Sequence, residues 1–229
     1  MRDGPVTVSF DHIESLHDLE FLASVCTDCS LSEGRTNVVF SSGSPDASVM
    51  LVGEGPGRQE DEQGIPFVGR SGQLLRKLLG EIDLDREDVY IANVVKCRPP
   101  HNRDPRQDEI DACKPYLRRQ IELVDPVVVV TVGNFSSKLL LGTTTGITRL
   151  RGSAYEWWGR YLVPTFHPAA ALRGGEQVTN HIRADLMLVR DIIDGRVSPD
   201  PDQGSEPQVE DETVPEQPTQ IPLFGRDRR

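Results

Sequence analysis

The sequence predicts an α/β protein, a three-layer α/β/α sandwich around a central, mostly parallel sheet of about four strands. Short apolar runs alternate with amphipathic segments along the chain, the order typical of parallel strands joined by covering helices. The run at residues 127–132 is β-branched throughout, which indicates a central strand buried on both faces. Glycine or proline bounds several of the runs, as expected where strands meet loops.

The first half of the chain predicts helix, strand, loop and helix in that order. Apolar residues recur every three or four positions in residues 10–25, which indicates an amphipathic helix. Residues 49–52 form a short apolar strand that leads into a glycine-rich loop at 53–57. Ser71 is expected to cap the next helix, which ends near Gly80.

The second half repeats the alternation of strand and helix. A strand at 89–95 is followed by a helix at 105–123, with Pro105 in its first turn. The remaining predicted elements are a strand at 127–132, a helix at 135–141, a strand at 161–165 and a helix at 178–193.

Composition divides the chain into one domain, residues 1–195, and an acidic, proline-rich tail, residues 196–229. A length of 229 residues suits a single domain with a sizeable core. Six of the 17 prolines fall in the tail, which has almost no apolar residues before 221–224. Such a segment buries too little surface to offset its ordering entropy, so we expect it to be disordered.

No signal-peptide pattern or membrane-length apolar run is present, so we expect a soluble, cytoplasmic protein with no membrane partner. We also expect it to be a monomer. The net charge is -11, and the 25 basic residues include only four lysines. This acidic, lysine-poor balance resembles that of proteins from salt-loving archaea. It argues against a nucleic-acid partner, because non-specific DNA binding rests on basic patches. The argument weakens in concentrated salt, where release of counterions contributes little.

Four cysteines occur in two groups, Cys26 with Cys29, and Cys97 with Cys113. Disulfides are rare in cytoplasmic proteins, so one tetrahedral metal site is the favoured interpretation. Spacing alone does not distinguish Zn²⁺ from a [4Fe-4S] cluster, since both accept four thiolates. Unrelated buried or redox cysteines are the alternative.

The loop Gly53-Glu54-Gly55-Pro56-Gly57 follows a buried strand and can approach a ligand closely through its backbone. In open α/β sheets, ligands bind beyond the carboxyl ends of the strands, where this loop lies. Neither a GxxxxGK[ST] nor a GxGxxG phosphate motif is present in it. The alternative is a tight turn with a solvated Glu54.

Three blocks of the chain form long, ordered motifs: GEGPGRQEDEQGIPFVGRSGQLL at residues 53–75, YIANVVKCRPPHNRDP at 90–105 and FHPA at 166–169. These blocks resemble the motifs of family 4 uracil-DNA glycosylases. The cysteine pattern agrees with the same family, and the resemblance spans about residues 10–195. It implies the α/β/α fold, hydrolysis of the N-glycosidic bond of deoxyuridine in DNA, a [4Fe-4S] cluster and a monofunctional enzyme of base excision repair at the nucleoid. The implied cluster ligands are Cys26, Cys29, Cys97 and Cys113, and the implied pocket residues are Glu54, Gly55, Glu60, Phe67, Asn93, Asn102 and His167.

Uracil recognition is expected to involve a stacking face and an amide. A base in a duplex must be rotated out before its glycosidic bond can be reached. Phe67 can then stack on the flipped pyrimidine, and the Asn93 amide can pair with its N3/O4 edge. The loop from His167 to Arg173 is expected in the minor groove, with Leu172 as a wedge or, equally, as a packed residue.

Bond cleavage needs a donor near uracil O2 and a carboxylate or oriented water near C1′. His167 is the expected donor, and Glu54 is expected to position or activate the water with help from Asn102. Glu60 is expected to orient its neighbours rather than to react.

Two other functions remain open on the sequence alone. One is a catalytically silent iron–sulfur DNA-binding paralogue associated with replication; the other is a zinc-stapled α/β hydrolase of free nucleosides. The apolar island Gln220–Phe224 in the acidic tail resembles a sliding-clamp ligand. A chance island is the alternative.

Overall fold

The computed structural model describes residues 9–196 and contains a six-stranded mixed sheet. In space the strands follow the order β1-β3-β2-β4-β6-β5. The expected tail and its segment Gln220–Phe224 lie outside the described residues. In chain order the strands are β1 (Ser42–Gly43), β2 (Val49–Gly53), β3 (Val89–Asn93), β4 (Val128–Val132), β5 (Tyr155–Trp157) and β6 (Arg160–Thr165).

Seven α-helices connect and cover the strands in the described part of the chain. Their bounds are α1 (Leu16–Ser24), α2 (Arg58–Gln63), α3 (Arg70–Gly80), α4 (Gln107–Val124), α5 (Asn134–Leu141), α6 (Ile147–Leu150) and α7 (Pro168–Ile193). Between residues 9 and 196, no helix has both the length and the apolarity needed to cross a membrane.

Helices lie on both faces of the sheet, which confirms the three-layer α/β/α prediction. Alternate residues of the parallel strands point to opposite faces, so each strand contributes to two apolar clusters. One cluster packs the sheet against α3 and α7, and the other packs it against α4 and α5. The β-branched run becomes β4, whose five residues are all buried.

The four predicted strands form the parallel centre of the sheet, but the sheet has six strands rather than about four. The two additional strands, β1 and β5, are short and pair antiparallel with β3 and β6 at opposite edges. The β5–β6 hairpin turns at Trp158 and Gly159, both with positive φ. Asn-Gly or Asp-Gly is the usual sequence signal for such a turn, so Trp-Gly gave little indication of it.

Four helix starts differ from the predictions. Helix α1 begins at Leu16, six residues later than the pattern over residues 10–25 predicts. Ser71 does not cap α3, because Gly69 is its N-cap and the helix already begins at Arg70. Pro105 lies before the N-cap of α4 rather than in its first turn. Helix α7 begins at Pro168, ten residues earlier than expected, and is interrupted at Gly175, where φ is 71° and ψ is -154°.

The backbone at Phe67 has a left-handed conformation, with a φ of 53°. A bulky residue rarely adopts this conformation, so the surroundings must stabilise it. The Arg86 guanidinium donates hydrogen bonds to the carbonyl groups of Phe67, at 3.1 Å, and Pro66. Gly72 in α3 lies so close that a Cβ there would be 1.8 Å from the Phe67 carbonyl oxygen. The path of this loop therefore depends on a glycine in the facing helix.

We expect Gly72→Ala to lower the free energy of unfolding by about 3 kcal/mol, because the added methyl group overlaps fixed backbone atoms. Gly80→Ala in the same helix is the matched control, since its Cβ would meet nothing within 4 Å. This control should leave stability unchanged or raise it by up to about 1 kcal/mol. Urea titration followed by circular dichroism measures both. Equal effects of the two substitutions would contradict the packing argument.

Candidate active site

The carboxyl ends of β2 and β3 place two predicted site residues side by side. Gly53 pairs with Asn93 in the parallel register. The ladder continues past the strands, because Val94 N donates to Gly53 O at 2.9 Å and Val95 N donates to Glu54 O at 3.1 Å. The backbone of Glu54 is therefore fixed by the chain that follows Asn93.

Gly53 has no side chain at the point where two other side chains converge. A Cβ on Gly53 would lie 2.3 Å from Asn93 Oδ1 and 2.8 Å from the Phe67 ring. Asn93 is 2% exposed. The two residues expected to recognise uracil can meet only because position 53 is glycine. A Cβ on Gly55 would similarly lie 2.8 Å from a methyl group of Val95.

Glu60 holds the loop that bears Phe67. Its Oε1 accepts hydrogen bonds from the backbone amides of Val68 at 3.1 Å and Gly69 at 3.0 Å. These amides precede α3, whose N-cap makes no side-chain cap bond of its own. The Glu60 carboxylate thus supplies acceptors at a helix N-terminus, where the helix dipole also favours negative charge.

His167 follows β6 and is the N-cap of α7. Its Nδ1 accepts a hydrogen bond from Ala169 N at 3.1 Å. Burial lowers the pKa of His167, the nearby Arg173 lowers it further, and Glu60 acts in the opposite direction. Both the cap bond and the lowered pKa favour neutral imidazole with its proton on Nε2. The ring also stacks with Phe67 at a centroid distance of 5.7 Å.

Glu54 is half-buried and has an unusually high pKa. Burial, and secondarily the carboxylate of Asp104, raise the pKa of Glu54 to about 7. Near neutral pH this carboxyl group is therefore divided between its protonated and ionised forms. A carboxyl group with such a pKa is suited to accept a proton from water.

Asn102 faces the same cavity, but a neighbouring residue occupies its carbonyl group. Arg98 Nε donates to Asn102 Oδ1 at 2.8 Å. Asn102 therefore presents its amide N–H groups to a ligand more readily than its oxygen. The backbone at Asn102 is left-handed, with a φ of 53°, as is that of His101.

A single cavity of about 1110 Å³, open to solvent, brings the strand ends together. All seven pocket residues expected from the motifs line it, although they come from three separate parts of the chain. Most other residues of this wall have no individual role predicted from the sequence, although Pro56 and Gly57 belong to the glycine-rich loop and Arg103 and Asp104 fall inside the second motif. The additional lining residues are Pro56, Gly57, Ser71, Pro99, Arg103, Asp104, Ala169 and Arg173.

The segment from His167 to Arg173 is not a loop. His167 caps the first turns of α7, and Pro168 suits the first helical position because it needs no backbone donor there. Leu172 is 44% exposed, so it is not packed in the interior. Arg173, the next residue, lines the cavity.

The four cysteines line a second cavity of about 310 Å³, on the side of the sheet covered by α4. Arg35 Nη1 donates to Cys97 Sγ at 3.3 Å, and Lys96 N donates to Cys113 Sγ at 3.3 Å. In residues 9–196, no three acidic, cysteine or histidine side chains are already arranged as ligands around one point. The cysteines share a cavity without forming a closed ligand shell.

The fold and the pocket define an α/β enzyme with an open, polar cavity at the carboxyl edge of its sheet. The aromatic face, the buried amide and the two groups capable of proton chemistry meet at the carboxyl ends of parallel strands, where such folds bind ligands.

Comparison with known proteins identifies the family. Residues 40–187 match the uracil DNA glycosylase superfamily. The chain is 46% identical to a type-4 uracil-DNA glycosylase of Sulfurisphaera tokodaii over 70% of its own length and 77% of the relative's. It is 49% identical to one from Thermotoga maritima, over 65% and 78% respectively, and 44% identical to one from Archaeoglobus fulgidus, over 70% and 84%. The chain therefore belongs to the uracil-DNA glycosylase superfamily and, within it, to the type-4 enzymes.

We expect the Glu54 carboxyl group to titrate near pH 7, and Asp104→Asn to move its midpoint to lower pH. The substitution removes a negative neighbour, so the ionised form of Glu54 is opposed less and its pKa falls. The midpoint should remain above 4.5, the ordinary value, because burial is the larger cause and persists. NMR of labelled glutamate carboxyl groups measures the shift.

Asp108→Asn is the control, since Asp108 lies on α4 and not in the wall of the cavity. A Glu54 midpoint unchanged by Asp104→Asn, or shifted equally by the control, would contradict this electrostatic account.

Proposed function

We propose that this chain removes uracil from DNA by hydrolysing the N-glycosidic bond of a flipped deoxyuridine, within a glycosylase domain at residues 1–195. One observation supports the proposal above all. Seven residues, from motifs around positions 54–67, 93–102 and 167, line one cavity at the carboxyl edge of the sheet. The family resemblance concerns the sequence, whereas this convergence is a property of the folded chain.

Recognition of uracil rests on Asn93 and Phe67. The Phe67 ring supplies a stacking surface for the flipped base. The Asn93 amide has both a donor and an acceptor for the N3–H and O4 edge of uracil, an edge that cytosine presents with the opposite polarity. Because Asn93 is almost fully buried, a mismatched edge leaves its amide unpaired at a cost of about 1–3 kcal/mol.

Cleavage proceeds by loss of uracil and addition of water. The bond between C1′ and uracil N1 breaks, its electron pair leaves with uracil, and water adds to C1′. Neutral His167 donates from Nε2 to uracil O2 as negative charge develops there, and Arg173 adds positive potential nearby. Ionised Glu54 accepts the proton of the attacking water, while the Asn102 amide donates to the same water or to the substrate.

We expect His167→Asn and Glu54→Gln each to slow single-turnover uracil release by about 10²–10³-fold, because each removes one proton-handling group. Asn at 167 retains an acceptor for the Ala169 amide, so the cap of α7 is preserved. The substrate is a uracil-containing oligonucleotide, assayed for alkali-labile abasic sites. His12→Ala, an exposed position outside the cavity, is the control.

Wild-type rates in either variant would remove that residue from the mechanism. Two alternatives are tested in the same assay. The silent paralogue predicts no release by the wild-type protein, and the nucleoside hydrolase predicts release from free deoxyuridine.

We propose in addition that Cys26, Cys29, Cys97 and Cys113 hold a [4Fe-4S] cluster. The cavity they line has soft thiol ligands from the segment after α1, the loop after β3 and α4, and the guanidinium of Arg35 adds positive charge beside Cys97. When bound, a cluster supplies a four-point cross-link between these elements. No step of uracil release passes through it.

Purified protein is expected to be brown, with broad visible absorption and about four iron atoms per chain. Cys113→Ser should lose the colour and lower the unfolding temperature, because one ligand and one cross-link are removed. Ser30→Ala, next to Cys29, removes no thiol and should keep the colour, although it also removes the hydroxyl bonded to Arg106 and Glu109. Stoichiometric zinc without iron would show that the site is a zinc site instead.

We also propose that Gln220–Phe224 in the tail, residues 196–229, docks on a sliding clamp. An apolar island in an otherwise polar segment is the common form of a short docking peptide. Deletion of residues 219–229 should abolish clamp binding measured by calorimetry while leaving uracil release intact. Failure of the full chain to bind the clamp would refute the proposal.

A further inference from the structure

The outer edge of β3 lacks a backbone partner where it reaches the uracil pocket. Strand β1 pairs with Tyr90 and Ile91 and extends no further along β3. Two residues on, the carbonyl oxygen of Asn93 accepts a hydrogen bond from Lys96 Nζ at 2.7 Å. A lysine side chain thus occupies the position of a strand neighbour behind the base-recognising asparagine.

Lys96 is held rigidly in this position. Its side chain is buried, with 2% exposure, and its ammonium also donates to Gln120 Oε1 in α4. Gln120 in turn donates to Phe40 O at 3.1 Å and to Tyr90 Oη at 3.0 Å. The ammonium therefore belongs to a network that connects α4 to β3 and to Phe40.

The same residue forms part of the wall of the cysteine cavity. Its backbone N–H donates to Cys113 Sγ, and its side chain lines the cavity beside Cys97. Its carbonyl oxygen accepts from Val39 N at 2.8 Å. Lys96 is thus fixed on the cysteine side and makes contact with Asn93 on the pocket side.

Filling the core does not account for a lysine at this position. Burial of an ammonium costs several kcal/mol even with partners, and a methionine of similar length would fill the volume without that cost. Methionine cannot donate to the Asn93 carbonyl or to Gln120 Oε1. Of these two lysine-specific hydrogen bonds, the one to Asn93 reaches a residue of the pocket.

We propose that Lys96 is a positioning residue for base recognition. By holding the backbone carbonyl of Asn93, it fixes the direction in which the Asn93 amide faces the pocket and so sets the preference for uracil over cytosine. The inference rests on the proposed function of Asn93 in contacting the uracil edge.

The test compares Gln120→Met with the double variant Lys96→Met/Gln120→Met. Both variants lack the hydrogen bonds made by Gln120. Only the double variant also loses the Lys96 ammonium and its bond to the Asn93 carbonyl. Inhibition by free uracil and by free cytosine, in the uracil-release assay, measures how well the pocket distinguishes the two bases. Lys114→Met, a half-buried lysine next to Cys113 in α4, controls for loss of a lysine near the cysteine cavity. Iron content and unfolding temperature are recorded for every variant.

We expect the inhibition constant for uracil to rise about tenfold in the double variant relative to Gln120→Met. This is the change that loss of one hydrogen bond between the Asn93 amide and uracil predicts. The constant for cytosine should change little, so selectivity falls, while iron content is equal in the two proteins. Lys114→Met should match the wild type. Lys96→Met alone should show the same loss of selectivity with a larger loss of stability.

Equal uracil selectivity in the double variant and in Gln120→Met would overturn the proposal. So would weaker binding of both bases in proportion to lost iron, because that pattern indicates a purely structural residue. If the wild type released no uracil at all, the proposed function itself would fail, and this result is distinct from either outcome.

Discussion

The active site depends on the lack of a side chain at Gly53. In a parallel pair, residues in register lie side by side, and the register of β2 with β3 places this glycine next to Asn93. Any Cβ there would overlap both the Asn93 amide and the Phe67 ring. The surrounding contacts hold the Phe67 ring close to Asn93. Glu60 and Arg86 hold the loop that bears Phe67, and Gly72 lets that loop approach α3.

The pocket carries charges of both signs. The chain has a net charge of -11, and Glu54, Glu60 and Asp104 line the cavity together with Arg103 and Arg173. Arg173 has two effects that support each other. After burial, it is the second cause that lowers the pKa of His167 and so favours a neutral imidazole, and in the proposed mechanism it supplies positive potential where the leaving uracil becomes anionic. An acidic protein can act on DNA if it places a cation at the point where negative charge develops.

The sequence predicts those parts of the fold in which apolar residues form regular runs or recur at regular intervals. The β-branched run and the alternation of apolar segments predicted the four parallel strands, and the motifs predicted seven residues of one cavity. Strand β1 could not be predicted, because two residues carry no periodicity and their pairing depends on a distant strand. The cap of α3 was assigned to Ser71 because serine is a common cap. The backbone amides there instead find their acceptor in Glu60, which lies in the preceding helix α2. Asp104 and Arg98 were missed for a related reason, since their effects on Glu54 and Asn102 exist only after folding.

Residues 93–98 are a short stretch of backbone that links two pocket residues, Asn93 and Asn102, to the cysteine cavity. Asn93 contributes to the pocket, Lys96 supports Asn93, and Arg98 orients the Asn102 amide. Cys97, between the two basic residues, faces the opposite cavity. Any displacement of Cys97 must therefore move the supports of two pocket residues at once. Uracil release requires no electron transfer, so the cluster proposed for the cysteines would act through geometry. It would anchor residues 93–98, in which Lys96 and Arg98 contact Asn93 and Asn102.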